Sequence, residues 1–302
     1  MMAADIPMTV IWHPSSSSQR RAEAMLPLLM AHRPMTLIQA EDVDHAWAAV
    51  EKLGDSAGVI VAAGGDGSVH QLAGRIVENE KSFSRPVTLG VLPLGTGNDL
   101  ARSLQIPLEP GAAVETLFSA RPRLIDVIRY QTDRESGIYV NMMTGGNTGR
   151  YLTVLTDEMK QKWGAFCYMR GIVDVIQNLQ AFQITLTCDD GPPEQFSALN
   201  VFFANGRTSG GGMVVSPDAC LDDGLIDILI VRDGEPRVIA NLTASYFLSD
   251  YQSHELIVFR RARRVRVECR LPLLLTADGD SIGATPLELE VVPQALQILA
   301  AD

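Results

Sequence analysis

The sequence lacks clustered cysteines, an excess of basic residues and a long apolar run, and each absence excludes a class of protein. Its four cysteines are scattered without C-x-x-C spacing, which argues against a disulfide framework or a zinc site and fits a reducing compartment. The net charge of −11 argues against a nucleic-acid partner, because phosphate binding requires a basic face. No stretch has the length of a transmembrane helix and no basic-then-apolar leader opens the chain, so we expect a cytoplasmic protein with at most peripheral membrane contact.

What is present is typical of a globular protein with two domains. The 302 residues are 46% hydrophobic and 20% charged, which provides an ample core. Strand-like segments at residues 9–12 and 35–40 alternate with helix-like segments at 21–31 and 44–53. This alternation predicts an α/β domain with a doubly wound parallel sheet, in which ligands bind at the carboxyl ends of the strands.

The pattern changes near residue 123, and the rest of the chain is predicted to be mostly antiparallel β-structure. Polar turns such as residues 189–193 separate its strand-like segments. We therefore predict a β-sandwich-like second domain. Its predicted strands are 125–128, 137–141, 182–187, 199–203, 224–231 and 264–268, and its predicted helices are 160–179 and 235–248.

Two glycine-rich turns are the most informative feature of the first domain. Residues 64–68 (GGDGS) follow a buried strand-like run and precede apolar residues at helical spacing from Val69 onward. Residues 93–99 (PLGTGND) likewise lie between a strand-like and a helix-like stretch. A strand, a glycine turn and a helix in succession aim backbone N–H groups at phosphate oxygens, and glycine permits close approach. Two such turns indicate a site for a polyphosphate nucleotide.

Neither turn matches the common phosphate-binding motifs. The first lacks the Lys-Ser/Thr pair that ends a P-loop, and neither has the G-x-G-x-x-G spacing. Because no Lys or Arg lies within either turn, backbone dipoles and a divalent cation would have to meet the phosphate charge. The alternative interpretation is two ordinary turns of an α/β domain.

Taken in order along the chain, these motifs resemble those of the diacylglycerol kinase catalytic domain superfamily, in particular the bacterial YegS-type lipid kinases. The first turn resembles the family's GGDGT and the second its PLGTxND. Residues 141–146, 205–212, 221–227 and 278–280 resemble further family segments, so the resemblance covers nearly the whole chain. It implies an ATP-dependent kinase that transfers the γ-phosphoryl group to a hydroxyl of a diacylglycerol, phosphatidylglycerol or sphingoid lipid.

The change of pattern near residue 123 sets the expected domain boundary, and the resemblance implies the returning C-terminal segment, the cofactors and the lipid partner. The expected domains are a nucleotide-binding domain at residues 1–124, a β-rich substrate and metal domain at 125–292, and a segment at 293–302 that returns to the first domain. ATP and Mg²⁺ are the implied cofactors, with Ca²⁺ as an alternative ion. The lipid is expected in transient contact at a membrane surface, and a homodimer is left open. The implied nucleotide-binding residues are Gly64, Gly65, Asp66, Gly67, Ser68, Gly95, Thr96 and Asn98.

The family's metal loop maps onto the carbonyl oxygens of Cys220 and Leu225 and the side chain of Asp223. Carbonyls and a carboxylate in a tight turn suit a hard cation, which prefers oxygen to the Cys220 thiol. Without the resemblance, these residues indicate only an Asp-Gly turn before a strand. Asp66 keeps two interpretations, as a water-mediated Mg²⁺ ligand or as an acceptor from a ribose hydroxyl.

Asp280 stands where the family has the glutamate proposed as its general base. Aspartate is one methylene shorter, which reduces its reach by about 1.5 Å, and a water or a shifted turn would have to compensate. The alternative is a simple hairpin turn, for which Asp-Gly is a strong signal.

A second departure follows the first glycine turn, where His70-Gln71 replaces the family's Asn-Glu. We interpret His70 as a solvated or capping residue.

Five arginines form the dense basic cluster of this acidic chain and are candidates for contact with anionic headgroups. The preferred interpretation is a solvated edge strand protected by charge. A separate apolar stripe at helical spacing, between Trp163 and Ile176, is interpreted as core rather than as a lipid site. The basic cluster comprises Arg260, Arg261, Arg263, Arg264 and Arg266.

Two other functions are alternatives to a lipid kinase. An NAD kinase would share the Gly-Gly-Asp-Gly turn, but it should lack the second motif and carry a later Asn-Glu pair. The Asn-Glu pair of this chain, Asn79-Glu80, comes too early for that role. The second alternative is a catalytically silent nucleotide or lipid sensor, which the departure at Asp280 suggests.

Overall fold

The computed structural model describes residues 6–13, 19–32, 34–147, 179–247 and 251–301. The apolar stripe between Trp163 and Ile176 lies outside the described residues, as does the helix predicted at 160–179 except for its last position. None of the described helices combines the length and the apolar character needed to cross a membrane.

The first half of the chain is built on four parallel strands, β1 (Met8–Trp12), β2 (Thr36–Gln39), β3 (Val59–Gly64) and β4 (Thr88–Pro93). They lie in the order β2-β1-β3-β4. Strands β3 and β4 are buried along their whole length, as expected for apolar runs inside a parallel sheet. The helices are α1 (Gln19–His32), α2 (Val43–Leu53), α3 (Asp66–Glu78), α4 (Asp99–Ser103) and α5 (Pro110–Ser119), and α1 packs against α5 and α2 against α3.

The second half is mainly antiparallel β-structure with one described helix, α6 (Pro236–Phe247). Its longest strands, β5 and β17, pair with each other along most of their length. The strands are β5 (Arg121–Thr132), β6 (Ser136–Tyr139), β7 (Met142–Gly146), β8 (Phe182–Cys188), β9 (Glu194–Ala204), β10 (Thr208–Ser209), β11 (Met213–Val214), β12 (Ile226–Arg232), β13 (Ile257–Ala262), β14 (Arg264–Cys269), β15 (Leu274–Ala277), β16 (Asp280–Ala284) and β17 (Leu287–Ala300).

Strand β17 joins the two halves. Its first part pairs antiparallel with β14 and β5, and its end runs parallel to β4, with Gln297 opposite Thr88. An irregularity in the pairing with β5 falls between Val292 and Leu296, where the Gln294 N–H donates to the buried Asp126 carboxylate at 2.8 Å. Fifteen of the described strands therefore form one continuous sheet, and β10 and β11 form a separate pair.

Each half nevertheless has its own apolar core. The first core lies between the parallel strands and their helices and includes Ile60, Leu89 and Leu100. The second lies within the β-rich half and includes Tyr139 and Phe203, which are fully buried. Burial of these side chains is the main force that fixes the glycine turns and the hairpins of the second half in place.

The predicted fold class, a doubly wound parallel sheet followed by a β-rich half, is confirmed. Strands β7, β10, β11, β13, β15, β16 and most of β17 had no predicted counterpart. Strands β10 and β11 have only two residues each, and Pro293 interrupts β17. The predicted domain boundary falls inside β5. Pro122 suggested a linker in the sequence, but a proline can be accommodated near the start of a strand. The residue limits of the domains stay a prediction.

Candidate active site

The two glycine turns lie side by side at the carboxyl ends of β3 and β4, where parallel α/β sheets bind ligands. The Gly64 carbonyl accepts hydrogen bonds from the N–H groups of Leu94 (2.9 Å) and Gly95 (3.2 Å). A Cβ atom on Gly95 would lie 2.5 Å from the Cα atom of Gly65, closer than real Cβ contacts allow. Glycine at position 95 is therefore needed for the turns to touch, and the residues predicted to bind phosphate come together.

Asp66 links the two turns through its carboxylate. The N–H groups of Asn98 and Asp99 each donate to it at 2.7 Å, and that of Leu100 donates at 3.4 Å. Asp66 thus caps α4 from a neighbouring helix and satisfies N–H groups that a helix start leaves unpaired. This structural role was not foreseen. The interpretations of Asp66 as a metal or ribose ligand stay predictions.

The environment of Asp66 disfavours its negative charge. Burial raises the pKa of Asp66, the negative charge of Asp99 acts in the same direction, and the donated N–H groups only partly oppose them. A ligand that brings positive charge to this edge of the sheet would therefore favour the ionised carboxylate.

Helix α3 begins at Asp66, three residues before the predicted start, so Asp66, Gly67 and Ser68 form its first turn. Within the described ranges, no side chain caps this helix start, which leaves its N–H groups available to a ligand. A Cβ atom on Gly67 would meet no described atom within 4 Å beyond the helix backbone and its neighbours. The N-terminal first turn of α3 therefore has room for a bound group. The Ser68 side chain lies against Gly64, whose Cβ would sit 2.4 Å from its hydroxyl oxygen.

Asn98 shapes the second turn from within. It adopts a left-handed conformation (φ 55°), which asparagine tolerates better than most residues. Its side chain accepts from the Gly95 N–H at 3.0 Å and donates to the Gly95 carbonyl at 2.7 Å. The side chain of Thr96, by contrast, is exposed. Thr96 can therefore offer its hydroxyl to a ligand, whereas the Asn98 amide is used to close the turn.

Two arginines that sequence reasoning missed reach the second turn. Arg21, from α1, donates to the Gly95 carbonyl, and Arg102, from α4, donates to the Gly97 carbonyl at 3.4 Å. Both lie outside the turns in sequence, so the motifs themselves gave no signal for them. Basic side chains therefore flank the expected phosphate site, in addition to backbone dipoles.

Asp99 connects the second turn to the β-rich half. Its carboxylate accepts the N–H groups of Gly211 (2.9 Å) and Gly212 (2.8 Å), and its carbonyl accepts the Thr208 hydroxyl at 3.2 Å. Both glycines have positive φ, which other residues rarely adopt. The segment that resembles the family's triple-glycine motif thus folds over the predicted nucleotide site.

The His70 side chain is largely shielded from solvent and contacts the β-rich half, so its interpretation as a solvated or capping residue is wrong. Its Nδ1 atom lies 3.0 Å from Oδ2 of Asp278, and their side chains are 15% and 2% exposed. Asp278 is held in turn by the N–H groups of Val140 (2.8 Å), Asn141 (3.1 Å) and Met142 (2.8 Å). A lone histidine in a helix gives no sequence signal of a partner 208 residues away.

Asp280 opens β16 opposite Ala277, on the hairpin that Asp278-Gly279 turns. Its side chain is exposed. Burial raises the pKa of Tyr130, and the charges of Glu135 and Asp280 add to that effect. The neighbouring Asp278 bonds to His70, so the hairpin that carries the predicted base lies against α3. His70 follows Asp66 by four residues, about 6 Å along the helix axis, so the acidic hairpin approaches the helix that carries the phosphate turn.

The predicted metal loop is tied to the protein through acidic residues. Asp222 pairs with Arg123 at 2.7 Å, and the Cys220 thiol donates to the same carboxylate at 3.0 Å. The hydrogen bond from Cys220, followed by that from Arg123, lowers the pKa of Asp222. The buried Asp126 receives the Gly224 N–H at 2.7 Å. These contacts fix the loop beside β5.

The donors of this loop suit a cation by chemistry, but Asp223 already has a partner. One of its carboxylate oxygens accepts the Leu225 N–H at 3.1 Å, and the other is paired with Arg261. Arg261 also contacts the buried Asp227 at 3.1 Å. Over the described part of the chain, no group of three or more His, Cys, Asp and Glu side chains is placed to hold a metal. A cation at Asp223 would therefore have to compete with the Arg261 guanidinium.

The arginine cluster is largely neutralised by carboxylates. Arg264 and Arg266 lie on β14, which is paired on both sides by β8 and β17, so their interpretation as edge-strand residues is wrong. Strand β13, with Arg260 and Arg261, pairs with β12 alone among the described strands. Besides the Arg261–Asp223 pair, the ion pairs are Arg260–Glu194 (2.6 Å), Arg261–Asp227 (3.1 Å), Arg264–Asp190 (3.0 Å), Arg266–Glu268 (2.8 Å) and Arg266–Glu288 (3.2 Å).

Comparison with known proteins finds the same two-part organisation. Residues 7–130 match the family described as "Diacylglycerol kinase catalytic domain", and residues 148–300 match the "YegS C-terminal NAD kinase beta sandwich-like domain". A Stenotrophomonas maltophilia (strain K279a) protein named "Probable lipid kinase YegS-like" is 31% identical over 256 residues, or 84% of this chain and 82% of its own. A protein of the same name from Xanthomonas euvesicatoria pv. vesicatoria (strain 85-10) is 30% identical over 264 residues, or 85% and 84%.

Solved structures show the same fold. A diacylglycerol kinase from Bacillus anthracis str. Sterne superposes with a TM-score of 0.70 over 98% of this chain and 97% of its own. A second structure from that organism gives a TM-score of 0.76 over 98% of both chains. Because the identities are 17% and 20%, these matches describe the fold and no more.

Proposed function

The chain belongs to the diacylglycerol kinase catalytic domain family in its YegS-like form, and from this we propose that it is an ATP-dependent lipid kinase. It transfers the γ-phosphoryl group of ATP to a hydroxyl of a lipid acceptor. The supporting relatives are those named as YegS-like lipid kinases, which match most of the chain at 30–31% identity.

The proposal rests mainly on a difference between the starts of helices α3 and α4. The start of α3 has no side-chain cap among the described residues, whereas the start of α4 is capped by Asp66. The N–H groups of the α3 first turn can therefore donate hydrogen bonds to phosphate oxygens, with the Ser68 and Thr96 hydroxyls as further donors. ATP supplies the transferred group, and Mg²⁺ on its phosphates would neutralise negative charge. Arg21 and Arg102 add positive charge beside the same turns.

The acceptor side lies at the acidic hairpin. We propose that Asp280 orients the lipid hydroxyl and takes its proton while the hydroxyl oxygen bonds to phosphorus and the bond to the departing ADP breaks. Asp280 suits this role because it is exposed, whereas Asp278 is buried and committed to three backbone N–H groups. Asp278 therefore holds the hairpin in position and does not itself meet the acceptor.

We place the predicted metal site, for Mg²⁺ or Ca²⁺, at the Cys220 and Leu225 carbonyls and Asp223, as a structural site. No step of the transfer is assigned to it, since its carboxylate is paired with Arg261. The lipid would be met transiently at a membrane surface, where the exposed arginines of β14 are the candidate contact.

A kinase assay with labelled ATP and a total lipid extract, followed by identification of the labelled product, tests the proposal. We expect a phosphorylated lipid from the wild-type protein and a strong loss with Asp280→Asn. NAD is offered as a separate acceptor in the same assay. Phosphorylation of NAD without any lipid product would contradict the lipid-kinase proposal, and nucleotide binding without turnover would favour a sensor.

A further inference from the structure

The structure brings together two of the places where this chain departs from the motifs that it otherwise resembles. His70 stands in place of an asparagine and Asp280 in place of a longer glutamate. His70 bonds to Asp278, and Asp280 lies two residues further along the same hairpin. A residue of the phosphate helix and a residue of the acceptor hairpin are therefore neighbours in space, although they lie in different halves of the chain.

The His70 ring is held in one orientation and one tautomer. The Asp278 carboxylate accepts three backbone N–H groups, so it acts as an acceptor toward the ring as well. Nδ1 of His70 must then carry the proton that it shares with Asp278. The second ring nitrogen, Nε2, is the atom that gains or loses a proton as the pH changes. Because Asp278 cannot move without breaking its other bonds, the ring forms a fixed site for a positive charge.

The charges around the ring favour its protonated form. Burial by itself would lower the pKa of His70, but the hydrogen bond to Asp278 and the charges of Asp278 and Asp280 outweigh it and raise the pKa. Tyr139, on β6, has a pKa raised well above its usual value by burial and by Asp278, so it stays neutral. Charged groups on and beside α3 have partners of their own: Asp66 with the α4 N–H groups, and both Asp44 and Glu78 with Arg75.

We propose that His70 is a positioning residue for the acceptor reaction, which draws the short carboxylate of Asp280 toward α3 by charge attraction. The proposal rests on the proposed lipid-kinase function. His70 neither touches the acceptor nor takes the transferred proton, which goes to Asp280. Asp278 holds the positively charged ring in place. The attraction of this charge for Asp280 compensates for the shorter aspartate side chain, whose reach is less than that of glutamate by about 1.5 Å. An imidazolium can do this and a neutral asparagine cannot.

A double-mutant cycle tests the proposal directly. His70→Asn should lower kcat about tenfold or more in the Asp280 background, because the carboxylate loses its attraction toward α3. In an Asp280→Glu background, the longer carboxylate reaches the acceptor hydroxyl without the attraction of His70. His70→Asn should then lower kcat by less than about threefold. ATP-dependent thermal stabilisation should be the same in all four proteins. An equal loss in both backgrounds would overturn the proposal, since a purely structural role of His70 does not depend on the length of residue 280.

The pH profile gives a second kinetic readout. Wild-type kcat should fall as pH rises through the His70 pKa, where the ring loses its charge, and this basic limb should be absent from His70→Asn and weak in Asp280→Glu. An unchanged basic limb in His70→Asn would contradict the proposal.

A measurement that does not require turnover separates this proposal from the proposed function. The chain has five histidines, so the His70 ring can be assigned by NMR through its absence in His70→Asn. Asp280→Asn should lower the pKa of His70, because a negative charge that favours the protonated ring is removed, and the control Glu135→Gln should leave it unchanged. If Asp280→Asn leaves the His70 pKa unchanged, the two side chains do not interact and the proposal fails. If no lipid is phosphorylated, the proposed function fails whatever the titration shows.

Discussion

The carboxylate of Asp66 accepts the backbone N–H of Asp99 at 2.7 Å, although the two residues begin different helices. Asp66 also receives the N–H groups of Asn98 and Leu100, so one side chain holds the second glycine turn against the first. Losing buried hydrogen bonds to a charged acceptor leaves several donors unpaired. We therefore expect Asp66→Ala to lower the free energy of unfolding by about 2–3 kcal/mol, measured by urea denaturation.

The control for this prediction is Asp190→Ala. The Asp190 side chain is 93% exposed, and its pairing with Arg264 lies at the surface, where ion pairs contribute little. Asp190→Ala should therefore change the free energy of unfolding by less than about 1 kcal/mol. Equal destabilisation by the two variants would contradict the capping role of Asp66.

Gly67 and Gly74 offer a matched test of the nucleotide site. Both lie in α3, and a Cβ on either would meet nothing within 4 Å beyond the helix backbone, as far as the described residues extend. Either change to alanine should preserve stability or raise it by up to about 1 kcal/mol, because glycine is the weaker helix former. Only Gly67 lies in the first turn, where an added methyl group would obstruct a phosphate.

Gly67→Ala should therefore reduce the rise in melting temperature that ATP with Mg²⁺ produces, whereas Gly74→Ala should keep it. Differential scanning fluorimetry with and without Mg-ATP measures the difference. If both variants keep the wild-type shift, the nucleotide does not bind over the first turn of α3.

The glycine turns and the parallel sheet could be predicted from sequence because their signals are local. Apolar runs, glycines and helical spacing all fall within about 20 residues around each turn, and burial followed the predicted pattern in β3 and β4. The same local reading failed for β17, where Pro293 interrupts an otherwise alternating strand at the irregularity beside Asp126.

The partners of the charged residues could not be predicted, because they come from distant segments. The sequence shows that His70 is polar, but not that it faces a carboxylate 208 residues away. Likewise, Asp99 reaches Gly211 and Gly212 across the two halves of the chain. Periodicity and turn chemistry assign residues to faces and loops, whereas these contacts depend on how the separate elements pack.

The two acidic residues of the hairpin should behave differently when neutralised. Asp280→Asn should lower kcat about 10²-fold or more, the usual effect of losing a group that moves a proton, with ATP affinity and stability nearly unchanged. Asp278→Asn should instead lower stability, because an amide cannot accept three N–H groups and the His70 proton as the carboxylate does. Steady-state kinetics and thermal denaturation of both variants make the comparison. Near-normal kcat in Asp280→Asn would remove Asp280 from the mechanism.

Arg261 should limit cation binding at the predicted metal loop. Removing its charge in Arg261→Gln frees an Asp223 oxygen, so added Mg²⁺ or Ca²⁺ should raise the melting temperature more than in wild type. Without added metal the variant should be less stable, because Asp227, 7% exposed, loses its partner. Arg264→Gln is the control, since Arg264 does not contact the loop and pairs with Asp190. No metal-dependent gain in Arg261→Gln beyond that of the control would contradict a cation site at Asp223.

The exposed arginines of β14 are the candidate contact with a membrane, and Arg264 is the better place to test it than Arg261. Reversing Arg261 would put three acidic groups together with Asp223 and Asp227 and would disturb the fold for that reason alone. Arg264 is 58% exposed and pairs only with a surface carboxylate among the described ion pairs. If β14 contacts anionic headgroups, Arg264→Glu should reduce activity on lipid in anionic vesicles several-fold more than activity on a short-chain soluble lipid.

Arg232→Glu is the matched control for this prediction, because Arg232 is exposed at the end of β12 and its reversal changes the net charge by the same amount. Any loss caused by overall charge should appear equally in both variants. The specific loss should also diminish at high salt, where attraction to a charged surface is screened. If Arg264→Glu and Arg232→Glu reduce vesicle activity equally, β14 is not the membrane contact. The lipid-kinase proposal would be unaffected by that outcome, since the soluble acceptor reports on the reaction itself.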